Sequence, residues 1–404
     1  MKVFIISGKH PLQDSGGYAT YAYSLCKCLL ELGHEPHVIV FSAQSKVEET
    51  SIGIVHSVSS RISFLGTEGF PFWSFIFSRY INKIISKEDP AQKYIIHGIG
   101  PWGLTGTFLK RKHRDRIIPI SSYFTTTGDE VYWLMRGIRI TDYGLRLKLK
   151  YTLIYLLTVI FLKPFEKASI RKTDMVIVHY ASSKDMLVRD YGTSEDIIKQ
   201  IPYYSETYTK GKGESSQDNL GVLLDKPLCV TICRQEPRKG INYLLRALKI
   251  IIDKDENINP VIVGAGELLE KNKKLAKRLG IDDRVHFTGF VEDISPFLEN
   301  ADVFVHPSVQ EGSGSISVLE AMRAGVPIVT AECDGMGEDI EDGISGLLVP
   351  IEDEVSLAEA IMKAMNNKSI ASSMRENVVK AYNERFSLPA MIAGIGELYA
   401  SLDV

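Results

Sequence analysis

The sequence predicts an α/β protein built from two doubly wound domains. Short runs rich in Val and Ile alternate with longer segments of helical periodicity, and one polar stretch divides these runs into two sets. Continuous apolar strands of this kind are typical of a parallel sheet that helices cover on both faces. The 404 residues also exceed what one core usually contains, at about 150 residues per domain.

The predicted strands occur in chain order on either side of the polar stretch at 206–221, which we interpret as a linker. The predicted domains are therefore 1–205 and 222–385, and a helical pattern at 386–404 is expected to pack back on the first. Ligands of open parallel sheets bind at the carboxyl ends of the strands, so the chemistry is expected in the loops there. The predicted strands are 2–7, 35–41, 93–98, 116–121 and 174–179, then 227–233, 259–264, 284–290, 301–308 and 326–331.

Composition excludes several classes of protein. A formal net charge of −3 with 24% charged residues gives no indication of a nucleic-acid partner. The five cysteines form no C-x-x-C pair, which argues against a disulfide framework or a zinc site and favours a reducing, cytoplasmic compartment. The opening "MKVFIISG" lacks the features of a secretory signal and is interpreted as a buried strand.

The segment "QEGSGSISVLEAM" at 310–322 places two carboxylates around a loop of glycine and serine, where a strand is followed by a helix. Helix N-termini attract phosphate, and glycines allow a ligand to approach the backbone closely. Glu311 and Glu320 could each accept hydrogen bonds from the hydroxyls of a sugar or ribose. The alternative is that both are ordinary solvated charges.

A second loop supplies positive charge. Arg234 and Lys239 lie five residues apart between a strand and an amphipathic helix, where two cations can bind a diphosphate. Gly264 and Gly266 follow another strand, although a lone G-x-G is often purely structural. The Asp-x-Asp at 253–255 lies in a polar loop and is interpreted as a solvated turn, so no metal site is expected.

These motifs occur in an order that resembles the retaining glycosyltransferases of family 4, which have the GT-B fold of two Rossmann-like domains facing each other across a cleft. The resemblance rests on "CRQEPRKGINYLL", "VIVGAGE", "VHFTGFVEDISPFLENADVFVHPS", "EGSGSISVLEAMRAGVPIV" and "GEDIEDGISGLLVP". The first half adds "DSGGYATYAYSLCKCLLELGHEPHVIV". Such an enzyme needs no cofactor; its donor is a nucleoside-diphosphate sugar, with UDP-sugar favoured over GDP-sugar.

By resemblance, Arg234 and Lys239 would bind the diphosphate and stabilise the leaving nucleotide. Glu311 would hold hydroxyls of the transferred sugar, and Glu320 would hold the ribose. The full set of implied donor-binding positions is Gly17, Gly264, Phe290, Ser313, Gly314, Ser315 and Glu320. The family's two glutamates usually have seven residues between them, whereas these two have eight, so either the loop carries an insertion or Glu311 is displaced.

A histidine common in the first domain of the family is missing from "IIPISSYFTTTGDE". Phe124 or a neighbouring hydroxyl occupies that place, and His97 at the end of an earlier strand is a substitute for contact with the acceptor or the sugar. The alternative for His97 is a structural role. Asp129 and Glu130 are further candidates.

The segment 131–164 is the least similar to the family and places basic residues before a largely apolar run. Twelve apolar residues are too short to span a bilayer. They could rest on an anionic membrane, at the inner face, which would suit a lipid-linked acceptor, or they could form a buried helix.

The sequence therefore predicts a metal-independent, retaining hexosyltransferase that moves a hexose or hexose derivative to a glycan or glycolipid in cell-surface polysaccharide or glycoconjugate synthesis. The alternatives are a GT-B nucleotide-sugar epimerase and a non-catalytic protein that binds nucleotide sugars.

Overall fold

The computed structural model describes residues 1–14, 16–60, 69–204, 226–254, 257–312 and 314–402. The chain divides into two compact units. Unit 1 comprises Met1–Asp129, Leu156–Tyr208 and Phe386–Val404, and unit 2 comprises Glu130–Tyr155 and Thr209–Arg385. The predicted linker 206–221 lies outside the described residues.

Unit 1 is an α/β unit in which strands and helices alternate along most of the chain. Its strands are β1 (Lys2–Ile6), β2 (Glu35–Phe41), β3 (Lys46–Thr50), β4 (Gly53–Val58), β5 (Tyr94–Ile99), β6 (Ile117–Tyr123), β7 (Met175–Val178) and β8 (Ile198–Gln200). Its helices are α1 (Gly17–Glu31), α2 (Phe70–Ile85), α3 (Leu104–Lys112), α7 (Lys163–Lys172), α8 (Ala181–Tyr191) and α16 (Leu388–Ala400).

Unit 2 repeats this alternation. Its strands are β9 (Leu228–Ile232), β10 (Asn259–Val263), β11 (His286–Gly289), β12 (Val303–His306), β13 (Ile328–Ala331) and β14 (Leu347–Val349). Its helices are α5 (Ile140–Tyr143), α9 (Ile241–Asp253), α10 (Leu269–Leu279), α11 (Ser295–Glu299), α12 (Ile316–Arg323), α13 (Met336–Asp339), α14 (Glu354–Asn366) and α15 (Lys368–Arg385). Helices α4 (Thr127–Arg136) and α6 (Leu145–Leu157) each contain a boundary between the units, and a π turn (Thr158–Leu162) follows α6.

Among the described residues, the strands of unit 1 form one sheet in the order β3-β4-β2-β1-β5-β6-β7-β8, parallel throughout except for the antiparallel β3–β4 pair. The side chains of β1 and β5 are almost entirely buried because helices cover both faces of the sheet. Helix α16 belongs to this unit, and its Gly394 and Gly396 allow close approach to Ile201 and Leu32.

The sheet of unit 2 is parallel in its described part, with the order β11-β10-β9-β12-β13-β14. Its first strand, β9, lies in the middle, and the chain continues to β10 on one side and returns to β12 on the other. The loops that follow β9 and β12 therefore leave in opposite directions from the same edge. A crevice at such a switch point is where doubly wound sheets bind ligands.

Each of the ten predicted strands coincides with a strand of the structure, whereas β3, β4, β8 and β14 were not predicted. The units also differ from the predicted first domain in one segment. Residues 130–155 were assigned to a domain at 1–205, but they group with unit 2. Their contacts, described below, give the reason.

The described chain contains no helix that is both long enough and apolar enough to cross a bilayer. All five cysteines are free thiols, and four of them are buried. Burial raises the pKa of the Cys229 and Cys233 thiols to about 12.

Candidate functional site

Two loops of unit 2 meet at the carboxyl edge of its sheet. The backbone N–H of Val309, after β12, donates to the carbonyl of Arg238, after β9, at 2.9 Å. Gly240 begins α9 with φ 65°, and a Cβ at this position would lie 2.0 Å from the carbonyl oxygen of Pro307. A side chain there would force the loops apart, so glycine allows the β9 loop to lie directly against the β12 loop.

The β9 loop carries the two predicted cations. Arg234 is 63% exposed, and its Nη1 lies 2.6 Å from Glu236 Oε1. Lys239 is buried at the end of a 3₁₀ turn. Arg238, between them, is also buried, and its guanidinium lies within 4 Å of Glu130, Glu236 and Glu311. The loop therefore presents one accessible cation and two that are held by carboxylates.

Glu311 is the centre of this charge network. Its Oε1 and Oε2 lie 2.5 and 2.6 Å from Lys239 Nζ, and Oε1 also lies 2.8 Å from His306 Nε2. Arg238 Nη1 lies 3.8 Å from Oε2. The extra residue between the two glutamates therefore does not move Glu311 away from the cation loop.

Burial alone would raise the pKa of Glu311, but Lys239 and His306 hold it well below the ordinary value. Burial lowers the pKa of His306 even though Glu311 opposes the shift. At neutral pH Glu311 is accordingly ionised and His306 is neutral. A carboxylate held in this state is a hydrogen-bond acceptor and has no proton to donate.

Asp334, after β13, supports the same loop and was not identified from the sequence. Its Oδ2 accepts hydrogen bonds from the backbone N–H groups of Glu311 and Gly312, at 2.7 and 2.8 Å. Asp334 adopts the left-handed region with φ 44°, which Asp tolerates better than most residues. The β13 loop thus stabilises the first turn of the glycine–serine loop.

The glycine–serine loop leads into α12, as predicted. Gly312 and Gly314 have φ values of 75° and 71°, and Ser315 precedes the first helical residue in an extended conformation. The Ser315 hydroxyl lies 3.0 Å from that of Ser317. Glu320 is buried one turn into the helix. Ser313 lies outside the described residues.

Two other predicted positions follow neighbouring strands of the same sheet. Gly264, after β10, has φ 123°, and a Cβ there would lie 2.0 Å from the carbonyl oxygen of Cys233. Its backbone N–H donates to Gly289 O at 2.8 Å. Phe290 comes next, after β11, and its side chain is 64% exposed. The predicted donor positions on unit 2 thus follow successive strand ends.

Residues 130–155 pack on the loops that follow β9 and β10. The Tyr143 hydroxyl donates to Asn272 Oδ1 at 2.9 Å, and Asn272 Nδ2 donates to Gln235 Oε1 at 2.7 Å. Tyr151 and Lys150 both bind the carboxylate of Glu267, at 2.5 Å. An apolar cluster accompanies these contacts, formed by Ile138, Tyr143, Leu147, Tyr151 and Leu268.

A buried carboxylate completes the attachment of this segment. Asp142 forms an ion pair with Arg246 of α9 and accepts a hydrogen bond from Asn242 at 3.3 Å. Arg139 lies 3.7 Å away, and Arg278 donates to the Asp142 carbonyl at 3.0 Å. Gly137 fits against the carbonyl of Pro237, where a Cβ would lie only 2.4 Å away. The segment therefore supports the loop that carries Arg234 and Lys239.

On unit 1, Gly17 is the first residue of α1 and is exposed, which leaves its backbone accessible. His97 does not have the expected role as a ligand contact. It is completely buried, with Nδ1 2.8 Å from the Tyr399 hydroxyl and Nε2 2.7 Å from the Ser122 hydroxyl. Since both ring nitrogens are used within the unit, the structure gives His97 the structural role.

The other first-domain candidates are divided between the units. Phe124 is half-buried in unit 1 and packs its ring against His179, with ring centroids 4.4 Å apart. The Thr125 hydroxyl lies 3.5 Å from Asp129. Glu130 belongs to unit 2, where it lies 3.6 Å from Arg238.

The Asp-x-Asp at 253–255 is only partly described. Asp253 pairs with Lys249 at 2.5 Å on the surface of α9, and Asp255 lies outside the described residues. Over the described ranges, His, Cys, Asp and Glu form no group of three or more suited to a metal ion.

Comparison with known proteins covers both halves of the chain. Residues 214–381 match the family described as Glycosyl transferases group 1, and residues 15–203 match Glycosyltransferase Family 4. The chain belongs to the glycosyltransferases. The group 1 match contains the cation loop, Glu311 and Glu320, so Lys239, His306 and Glu311 of the charge network all lie within the matched residues.

Individual relatives agree with this assignment. An uncharacterized glycosyltransferase of Methanocaldococcus jannaschii is 24% identical over 396 residues, which cover 96% of this chain and 95% of the relative. The lipopolysaccharide core biosynthesis glycosyltransferase LpsE of Rhizobium meliloti is 31% identical over 182 residues, 45% of this chain and 52% of LpsE. The solved structure of Anabaena HepE in complex with UDP-glucose has a TM-score of 0.70 and 18% identity, with both chains covered completely. The glycosyltransferase has the GT-B fold.

Proposed function

We propose that this glycosyltransferase transfers a hexose or hexose derivative from a nucleoside-diphosphate sugar to a glycan or glycolipid, with retention of anomeric configuration and without a metal ion. The proposal is carried by the contact of Lys239 with Glu311, in the same loop as the exposed Arg234, at the switch point of the unit 2 sheet. Transfer from such a donor requires charge stabilisation at the leaving diphosphate, which two fixed cations supply.

The cations retain capacity for phosphate. An ammonium group has three N–H donors, and Glu311 accepts from Lys239 through its two oxygens, which leaves the third donor for a phosphate oxygen. Arg234 is mostly exposed, and its guanidinium can bind phosphate in a bidentate manner. We assign Lys239 to the phosphate nearest the sugar because Lys239 contacts Glu311, the residue that we assign to the sugar itself.

Glu311 is assigned the hydroxyls of the transferred sugar. Its low pKa keeps it ionised, so it serves as a hydrogen-bond acceptor rather than as an acid. A retaining reaction in which the leaving phosphate takes the proton of the acceptor needs no protein acid, which is compatible with this carboxylate. Glu320 is assigned to the ribose. The backbone around Gly314 and Ser315 is assigned to the sugar or the phosphate. Ser313 keeps the role implied by the resemblance.

Two relatives support a class of donor and a class of acceptor. HepE has been crystallised with UDP-glucose, which supports a UDP-sugar donor over a GDP-sugar. The name of LpsE places that relative in lipopolysaccharide core synthesis, which supports a lipid-linked glycan acceptor for this chain. The roles of Gly17 and Phe290 remain those implied by the resemblance: binding the diphosphate and presenting backbone to the base.

The test is a donor screen followed by a transfer assay. Thermal stabilisation by UDP-, GDP- and ADP-sugars identifies the donor. The purified protein is then incubated with labelled donor and candidate acceptors in the presence of EDTA, and NMR determines the anomeric configuration of the product. We expect transfer with retention, loss of at least about 10²-fold in kcat for Lys239→Ala, and full activity for Lys249→Ala, which removes the matched surface pair with Asp253.

The two alternative functions, epimerase and binding protein, predict different results in this assay. An epimerised donor without transfer would identify an epimerase, and stabilisation without any turnover would identify a binding protein. An inverted product, or full activity of Lys239→Ala, would contradict the assigned mechanism.

A further inference from the structure

One surface of unit 1 is formed by α2, α3 and the segment 158–172, which contains the π turn and α7. Phe75 of α2 and Phe108 of α3 have ring centroids 6.3 Å apart, and α3 packs on α7. Leu162 packs against the core cluster that contains Trp73 and Phe77 of α2. The solvent-exposed sides of these three elements are called the basic–aromatic face below.

Helix α2 presents a stripe of two aromatic and two basic residues. Phe72, Phe75, Arg79 and Lys83 follow at intervals of three and four residues, which places them on one side of the helix, and all are exposed. Phe72 is 64% exposed and Phe75 is 52% exposed. Trp73 on the opposite side of α2 is completely buried, so the core contacts of this helix are made on the side of Trp73 rather than by Phe72 and Phe75.

Leu157, the last residue of α6, and the segment 158–172 continue the apolar part of this face. Leu157, Phe161 and Phe165 are spaced by four residues and are exposed, as is Ile160. Exposed apolar residues on soluble proteins are usually scattered singly, and a contiguous group usually marks an interaction site.

The same elements are strongly biased in charge. Helix α2, helix α3 and 158–172 together contain nine Lys and Arg residues but a single acidic one, Glu166. Glu166 is buried and accepts hydrogen bonds from Thr127 and Tyr191, so it does not offset the surface charge. Only Lys110 of these nine cations forms an ion pair with a described residue, Asp174. The other eight are Arg79, Lys83, Arg111, Lys112, Lys163, Lys167, Arg171 and Lys172.

Aromatic residues precede most of the cations along each element; the exception is Lys163, which lies between Phe161 and Phe165 and whose Nζ is 5.2 Å from the centroid of the Tyr191 ring. Phe75 comes before Lys83 in α2, Phe108 before Lys112 in α3, and Phe165 before Lys172 in α7. Helices that connect successive parallel strands on one side of a sheet run in the same direction. The face therefore consists of an apolar band beside a basic band.

We propose that the basic–aromatic face binds the surface of an anionic lipid bilayer. Aromatic and aliphatic side chains can enter the boundary between headgroups and acyl chains, while adjacent cations bind lipid phosphates. Of the segment 131–164 considered from the sequence, only 157–164 belongs to this face. The basic part of that segment is the weaker candidate, because Arg136, Arg139 and Lys150 already pair with acidic residues of unit 2. The proposal does not depend on the transferase activity.

The test is sedimentation of the full chain with vesicles of phosphatidylcholine, with and without phosphatidylglycerol, in the absence of donor. We expect binding only to the anionic vesicles and its loss at about 1 M salt, where the Debye length is about 3 Å. Lys83→Glu should weaken binding about 25-fold, since each surface cation contributes about fivefold. Phe72→Ser should weaken it about tenfold.

The matched controls are Lys199→Glu on β8 and Val47→Ser on β3, which change exposed residues of the same unit outside the face. Both should bind as the unchanged protein does. Absence of binding to anionic vesicles would overturn the proposal, as would equal losses in the face variants and their controls. A dimer in sedimentation velocity that Phe72→Ser abolishes, without any vesicle binding, would show that the face instead binds a second copy.

Discussion

Lys239 Nζ lies 2.5 and 2.6 Å from the two carboxylate oxygens of Glu311, and both side chains are more than 90% buried. Glu311 has further partners in His306 and Arg238, whereas no other acidic residue in the described part of the chain lies within 4 Å of the Lys239 ammonium. The pair is therefore asymmetric. Removing Glu311 leaves the buried Lys239 without a carboxylate partner, whereas removing Lys239 leaves Glu311 with His306 and Arg238.

The first prediction follows from this asymmetry. Breaking a buried ion pair typically costs about 3–5 kcal/mol because an uncompensated charge remains. Glu311→Gln should approach that cost, since Lys239 loses its carboxylate, while Lys239→Met should cost less because Glu311 keeps His306. The double variant should be more stable than the sum of the single changes predicts. Thermal unfolding measures the three values, and a larger loss for Lys239→Met than for Glu311→Gln would contradict the asymmetry.

The second prediction concerns Asp142, which attaches residues 130–155 to unit 2. Asp142→Asn leaves the partly buried Arg246 without its counter-charge and should cost about 3 kcal/mol. Because the segment supports the β9 loop through Gln235, the dissociation constant for the nucleotide should rise by about tenfold, equivalent to about 1.4 kcal/mol. Isothermal titration with UDP measures this affinity.

The control for Asp142 is Asp190→Asn, which removes a carboxylate that pairs with Arg189 at the surface. Surface pairs contribute about 0–1 kcal/mol, so this variant should match the unchanged protein in stability and in affinity. If Asp142→Asn lowers stability without changing UDP affinity, the segment stabilises unit 2 but does not position the β9 loop.

The third prediction separates backbone strain from steric conflict. Gly240 and Gly280 have similar φ values, 65° and 70°, but only Gly240 faces a carbonyl oxygen that a Cβ would meet at 2.0 Å. Gly280→Ala should cost about 1 kcal/mol through the left-handed conformation alone. Gly240→Ala should cost clearly more and should also reduce activity, because the β9 and β12 loops must separate. Equal unfolding temperatures for the two variants would contradict this account.

The fold was predictable from the sequence because parallel strands with both faces covered are continuous apolar runs. Strand β9, "LCVTI", is buried at every position and was recognised for that reason. Strand β3, "KVEET", was missed because it is an antiparallel strand at the edge of the sheet with no buried residue, so it has no apolar pattern.

The site was predictable only where it follows a strand in a recognisable motif. Arg234, Lys239 and Glu311 were proposed as site residues in this way, and the structure places Lys239 against Glu311. Asp334 was not, because its function depends on backbone N–H groups of a loop more than twenty residues earlier. The basic residues of the segment 131–164 suggested a membrane-binding surface, but Lys150 forms an ion pair with Glu267, more than a hundred residues away, which no local pattern reveals.

The last prediction concerns the pH dependence of stability through His97. Burial lowers the pKa of His97 to about 3, and nearby His179 adds to the shift. Because the folded pKa lies below the unfolded value of about 6.5, the unfolded chain binds more protons as the pH falls below 6.5. The stability associated with neutral His97 is therefore complete above pH 6.5 and is lost progressively toward pH 3. The slope should be about 1.4 kcal/mol per pH unit for this one proton.

His97→Gln removes this titration. Between pH 6.5 and about pH 3, the free energy of unfolding of unit 1 should therefore fall by about 1.4 kcal/mol less per pH unit than in the unchanged protein. Urea unfolding followed by tryptophan fluorescence measures the effect, since Trp73 and Trp102 are both buried in unit 1. His97→Gln should also be less stable than the unchanged protein at pH 7.5, because Tyr399 and Ser122 lose a shared partner. His286→Gln changes an exposed histidine and is the matched control. An unchanged slope in His97→Gln would show that His97 is not the group whose protonation unfolds unit 1.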